Sequence, residues 1–164
     1  MPPAGWAIDA QQWPDNCDDG AGGCLRIQDF YDVAERAAVD RKIHYSRCQL
    51  ERAAHQAFAP PGAPGHRPDA PVPPFFLNFL SASNFFNAAC WPERIAAKVN
   101  PAVVEYLCLR HGDDGKGPAG LAVGCAGTGI VVTDWVGAND DWDLVRCVVA
   151  MNARLQHMMP LQAA

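Results

Sequence analysis

Trp91-Pro-Glu-Arg-Ile-Ala-Ala-Lys-Val-Asn-Pro-Ala-Val-Val-Glu-Tyr-Leu107 opens the C-terminal third of the chain. Asn139-Asp-Asp-Trp-Asp-Leu-Val-Arg-Cys-Val-Val-Ala-Met-Asn-Ala-Arg-Leu-Gln-His-Met-Met159 closes it. Both segments read as helices with written starts. Pro92 suits a first helical turn and predicts a helix to Val99. Asn100-Pro101 repeats the signal for a second helix ending at Gly112, with Val103, Val104, Leu107 and Cys108 on its buried face. Asn139, Asp140 and Asp141 start a last helix, which Pro160 ends. Trp142, Val145, Val148, Val149, Leu155 and Met159 recur along it at helical spacing.

Working outward, residues 27–58 also carry a helical period. Ile27, Phe30, Ala34, Ala37 and Ala38 lead to Ile43, Leu50, Ala54 and Phe58, and the phase drifts near Asp40 to Lys42. Residues 75–90 begin apolar and then offer Ser81 or Ser83 as an N-cap, which would turn Phe85, Phe86 and Ala89 inward. Residues 119–134 are apolar around three glycines and fit one short hairpin. The expected fold is therefore mainly α: a compact domain of five or six helices with at most one short hairpin at about 119–134. Residues 1–25 form an irregular N-terminal arm, which Trp6 and Trp13 pin to the body. Residues 26–164 form the single domain. Within it, 59–74 are so dense in proline that an extended connector is expected.

Composition narrows the function classes. The chain has 164 residues, 49% of them hydrophobic and 19% charged, in keeping with one globular domain. A net charge of −5 and a pI near 5.4 leave no basic stripe for phosphate backbones, so nucleic acid is not an expected partner. No apolar run reaches the roughly 20 residues of a membrane span. Met-Pro-Pro-Ala-Gly-Trp lacks the basic start and apolar stretch of a signal peptide, so a cytoplasmic site of synthesis, or a virion, is expected.

The candidate sites are sparse. Cys17 and Cys24 flank a flexible loop that can close as a disulfide. The other cysteines, Cys48, Cys108 and Cys147 among them, sit in helical patterns as reduced core thiols. Cys90 precedes a helix start, where a nucleophilic thiolate can sit, but its neighbours read as core. Gly-Cys-Ala-Gly-Thr-Gly at 124–129 superficially matches a nucleotide loop. The β-branched run after it, and the missing acid and lysine, make it a glycine turn. His111 with Asp113 and Asp114 is a conceivable acid–base or metal cluster, but reads first as a basic residue at a helix C-terminus. His44 and His55 are too far apart on one helix for one metal. Asp140, Asp141 and Asp143 lack the glycine and closing glutamate of a calcium loop. No cofactor or metal is expected.

The stretch from Trp91 to about Ala138 resembles the C-terminal half of the glycoside hydrolase family 108 muramidases. The matching pieces are Trp91 to Ile95, Val103 to Gly112, Gly117-Pro118-Ala119, and Gly127 to Gly137. The resemblance implies a lysozyme-like helical body and peptidoglycan as substrate. Members carry an early Glu-Gly-Gly whose glutamate is the general acid, and this chain has none. Glu35 and Glu51, the only glutamates upstream of the match, are the catalytic candidates it leaves. Two functions follow. One is a non-enzymatic structural or adaptor protein of a large assembly such as a bacteriophage virion, bound to other protein subunits. The alternative is a muramidase-like peptidoglycan hydrolase.

Overall fold

The computed structural model describes residues 13–55, 74–112 and 126–158. It is an α/β arrangement and not the expected bundle of five or six helices. The order is β1 (Gly20–Gly22), β2 (Leu25–Gln28), α1 (Arg36–Ala54), β3 (Phe75–Phe79), α2 (Pro92–Leu109), β4 (Ile130–Val132) and α3 (Asp143–Met158). Three-residue 3₁₀ turns at Ala88–Cys90 and Ala138–Asp140 precede α2 and α3.

The strands form one mixed sheet in the order β1-β2-β3-β4. β1 is antiparallel to β2, pairing Gly20 with Ile27. The other two pairings are parallel, with Ile27 opposite Leu77 and Leu77 opposite Ile130. Strands parallel and adjacent in chain order, each followed by a helix, form a singly wound β-α unit train, the arrangement from which parallel barrels are built. It differs from a doubly wound sheet, where the order reverses and helices cover both faces.

Strand alternation assigns the two faces. Gln28, Asn78 and Val131 point toward the helices. Val131 packs on the main core of Val39, Leu50, Ile95, Val99, Leu107 and Met151, and Leu80 and Ala82 join that core just beyond β3. Phe75, Leu77, Phe79, Ile130 and Val132 point the other way and remain partly or largely exposed. At β2 this second face is buried, at Leu25 and Ile27, and Trp13 stacks on Phe79 with ring centroids 6.5 Å apart.

The helix-side contact between α1 and the sheet is polar as well as apolar. Lys42, Ser46 and Gln49 line one stripe of α1 and are essentially inaccessible, as are Gln28 and Asn78 beneath them. Lys42 Nζ donates to Gln28 Oε1 at 3.2 Å. Asn78 Nδ2 donates to the Ser46 carbonyl at 2.9 Å. Gln49 Nε2 donates to the carbonyls of Arg26 and Leu77, 2.7 and 3.1 Å away, and so clamps β2 and β3 together. Gln28 Nε2, Ser46 Oγ and Asn78 Oδ1 find no partner among the described residues, each at a cost of about 1–3 kcal/mol.

Each departure from the expected helices has a local cause. Residues 27–58 are not one helix. The chain finishes β2 at Gln28 and enters α1 only at Arg36, with Glu35 as an extended N-cap residue. Residues 75–79 form a strand, and Phe85 and Phe86 lie almost fully exposed in the turn after it rather than inward. Asn100-Pro101 does not divide α2, which runs through Pro101. Both amide atoms of Asn100 are taken by the end of β4: Oδ1 accepts from Thr133 Oγ1 at 2.8 Å, and Nδ2 donates to the Asp134 carbonyl at 3.1 Å. That leaves nothing with which to cap a new helix. The hairpin expected at 119–134 is, in its described part, the single strand β4 pairing with β3. The expected irregular arm contains β1. Residues 1–12 and the proline-rich 59–73 lie outside the described residues, as do 113–125 and 159–164.

Gly129 makes the tight entry into β4. Its φ is +67°, and a Cβ there would stand 2.7 Å from the Phe76 carbonyl oxygen and 2.8 Å from Phe76 Cβ. Gly129→Ala should therefore lose at least ~2 kcal/mol in urea unfolding. Gly127→Ala, where the nearest atom is the Ala53 oxygen at 4.0 Å, should stay within about 0.5 kcal/mol. Equal costs at the two positions would contradict the β3–β4 pairing.

Candidate active-site edge

In a parallel sheet, side chains that follow the last ladder residue converge at the strands' C-terminal ends, where substrates bind in barrels and open sheets alike. Here that edge carries Asp29 after β2, Ser81 after β3, and Thr133 and Asp134 after β4. Continuing the alternation one or two residues past each strand places Asp29, Ser81 and Asp134 on the face away from the helices, and Thr133 toward them. The Thr133–Asn100 bond confirms the latter.

Asp29 is held by two contacts. Its Oδ2 accepts from Trp13 Nε1 at 3.1 Å, and its amide donates to the Cys17 carbonyl at 2.8 Å. The adjoining loop is fixed by Asn16, whose Oδ1 accepts from the amides of Tyr31 and Asp32 at 2.9 and 3.0 Å. Tyr31 donates its hydroxyl to the Asp15 carboxylate at 2.9 Å, and that bond raises the phenol's pKa. Leu80 donates to the Val132 carbonyl at 2.7 Å, so β3 and β4 stay paired up to the edge.

Lys42 lies behind this edge on the helix side. Burial is the dominant influence and pulls its pKa from 10.5 to about 7, against the opposing charges of Asp29 and Asp134. The ammonium is thus within electrostatic reach of both carboxylates.

Exposed aromatic side chains occur in the segments that leave the strands at the same end. Tyr31, Phe85, Phe86, Trp91, Trp135 and Trp142 are all exposed, and all lie in segments that follow a strand or begin a helix there. Gly137, with φ +76°, lets the Trp142 ring lie where a Cβ would stand. Between the first half of α2 and the β4–α3 loop is a cavity of about 570 Å³, lined in part by Glu93, Arg94, Asn100, Trp135 and Asp141.

The candidates from sequence are dispersed. Glu35 is exposed at the start of α1, and Glu51 lines a groove near its end with His44, Arg47 and Cys48. As alternative general acids they sit at opposite ends of the same helix, sixteen positions and roughly 24 Å apart. Cys17 and Cys24 are free thiols, and Cys17 donates to the Ile27 carbonyl with Sγ 3.6 Å away. Cys90 is a buried core thiol. His111 is buried under α2, with Nε2 3.0 Å from the Gly127 carbonyl and its ring edge-on to Tyr106. Asp113, Asp114 and Cys125 lie outside the described residues. Asp141 Oδ1 accepts from the Asp143 amide at 3.1 Å, which starts α3. No group of three or more His, Cys, Asp or Glu arranged to hold a metal occurs among the described residues. Sequence reasoning did not single out Asp134. Its signal is a Thr-Asp pair directly after the β-branched run Ile130-Val-Val.

No family model and no curated protein matches the sequence. Solved structures do match in fold. A Staphylococcus aureus phosphatidylinositol-specific phospholipase C with an incorporated pentafluoro-phenylalanine aligns over 87% of this chain with a TM-score of 0.50 and 19% identity. A double mutant of the S. aureus enzyme aligns over the same share at 0.49 and 19%. The chain spans 38% of the length of these structures. The likeness shows an α/β fold shared with phospholipases C; these neighbours are not muramidases.

The Lys42 environment has a measurable consequence. Its folded-state pKa lies below the unfolded value, so between about pH 7 and 10.5 the unfolded chain binds more protons and stability rises with pH. Urea unfolding should show a gain of about 1–2 kcal/mol from pH 7 to 8.5. The thiols of Cys17, Cys48 and Cys147, whose pKa values are raised by burial, act in the opposite sense and begin to offset this gain as the unfolded thiols ionise toward pH 8.5. Lys42→Met should flatten the gain; an unchanged slope would remove Lys42 as its source.

Proposed function

We propose that this chain forms part of the wall and mouth of a phospholipase-C-like α/β phosphodiesterase. The observation that carries the reading is the pair of carboxylates, Asp29 and Asp134, at the C-terminal edge of a parallel sheet whose fold is shared with such enzymes. Cleaving a phosphodiester requires a base on the attacking hydroxyl, an acid on the leaving oxygen, and positive charge on the phosphoryl oxygens. Asp29 and Asp134 are suited to accept a proton or to orient the group that does. No described histidine lies at this edge: His44 is on α1, His55 caps its C-terminal end, His111 lies beyond the end of α2, and His157 belongs to the last turn of α3. The exposed aromatic side chains near the edge are the amphipathic surface that a substrate held in a lipid interface meets.

Full-length protein assayed on phosphatidylinositol vesicles should release the phosphorylated headgroup. Asp29→Asn and Asp134→Asn should each lower kcat/KM by about 100-fold or more with the melting temperature little changed. Asp40→Asn, on the exposed side of α1, should leave activity intact. Turnover that survives both edge substitutions, or no phosphodiester turnover at all, contradicts the proposal. Clearing of peptidoglycan that Glu35→Gln or Glu51→Gln abolishes would establish a muramidase instead.

A further inference from the structure

Cys108 on α2 and Cys147 on α3 face each other across the two helices, with their sulfurs 3.6 Å apart. We infer that this pair is a redox-modification site, at which a peroxide joins α3 to α2 through a reversible disulfide. The inference is independent of the phosphodiesterase reading and uses neither Asp29 nor Asp134.

Three observations support it. The sulfurs already touch as donor and acceptor, so bond formation needs a closing movement of about 1.5 Å toward the usual S–S length. Cys108 is exposed and Cys147 only half-buried, so an oxidant reaches the pair, whereas Cys90 is sealed in the core. Finally, burial and the neighbouring Cys108 sulfur push the Cys147 pKa up. Its greater exposure makes Cys108 the thiol that oxidant meets first.

The chemistry balances with hydrogen peroxide as the oxidant. The Cys108 thiol attacks one peroxide oxygen, the O–O bond breaks, and a sulfenic acid and one water form. The Cys147 sulfur then attacks the Cys108 sulfur, the S–O bond breaks, and a second water leaves. Two thiols lose two electrons and two protons, and one peroxide becomes two waters. The resulting bridge spans 39 residues of sequence and encloses β4 and the loop with Trp135 and Asp141. It therefore restrains the unfolded chain and pins the helix that follows the candidate edge.

The test is exposure of the native protein to hydrogen peroxide, alkylation of remaining thiols, and non-reducing peptide mass spectrometry. The inference expects a linked peptide pair containing Cys108 and Cys147, loss of two titratable thiols, and a melting temperature raised by roughly 5 °C, all reversed by dithiothreitol. Cys147→Ser should leave Cys108 as a sulfenic or sulfinic acid with no linked pair and no rise in melting temperature. Cys108→Ser should slow the loss of Cys147. The wild-type peptide map reads out without either variant. A dominant linkage between other cysteines, or Cys108 over-oxidised with Cys147 still free in the wild type, would overturn the inference.

Discussion

The clamp between α1 and the first two parallel strands sets the geometry of everything else. Gln49 bonds carbonyls on both β2 and β3, Asn78 bonds the α1 backbone, and Lys42 reaches Gln28 at the end of β2. Each bond requires one register of the sheet and one rotation of the helix. An apolar seam of the same area tolerates sliding; this one does not, because a one-residue slip would strand buried amides at a cost of about 1–3 kcal/mol each. A few polar atoms there find no partner among the described residues even so, and burial disfavours the charge of Lys42. The seam is better understood as a device that specifies geometry than as a source of net stability.

Fixing that register fixes the edge. Once Ile27, Leu77 and Ile130 are level across the sheet, Asp29, Ser81 and Asp134 arrive at one end of it. β3 and β4 are then held together to their tips by the Leu80–Val132 bond, while Asn100 ties the end of β4 to α2. Two carboxylates, and behind them a buried lysine whose pKa is lowered by burial, give the edge an electrostatic character that no single residue announces.

Much of the helical part is legible in sequence, and the sheet is not. Pro92 does start α2, and an acidic turn does precede α3. A helix does occupy 36–54 within the expected 27–58, because local punctuation and a 3.6-residue period act within one segment. The strands fail both tests. Leu25-Arg26-Ile27-Gln28 and Phe75-Phe-Leu-Asn-Phe79 contain the polar residues that the seam demands, so neither reads as the continuous apolar run of a buried parallel strand. Their partners lie about fifty residues away, and parallel pairing leaves no trace in local periodicity. Asp29 falls inside the helix expected over 27–58 because its strand is invisible, and Asp134 draws no notice because β4 has only three residues. Cysteine placement is half legible: the helical pattern expects core thiols at Cys108 and Cys147, yet Cys108 is exposed and Cys147 half-buried, and only packing shows that they meet.

The central claim is that β2, β3 and β4 form a parallel sheet that brings Asp29 and Asp134 to one edge. Interproton contacts measured by NMR test it most directly. The account predicts contacts linking the Ile27, Leu77 and Ile130 backbones in that order, with slow exchange of the Leu80 amide that bonds Val132. Helical contacts between residues three and four apart through 75–79 and 130–132, with no contacts between the two segments, would contradict it.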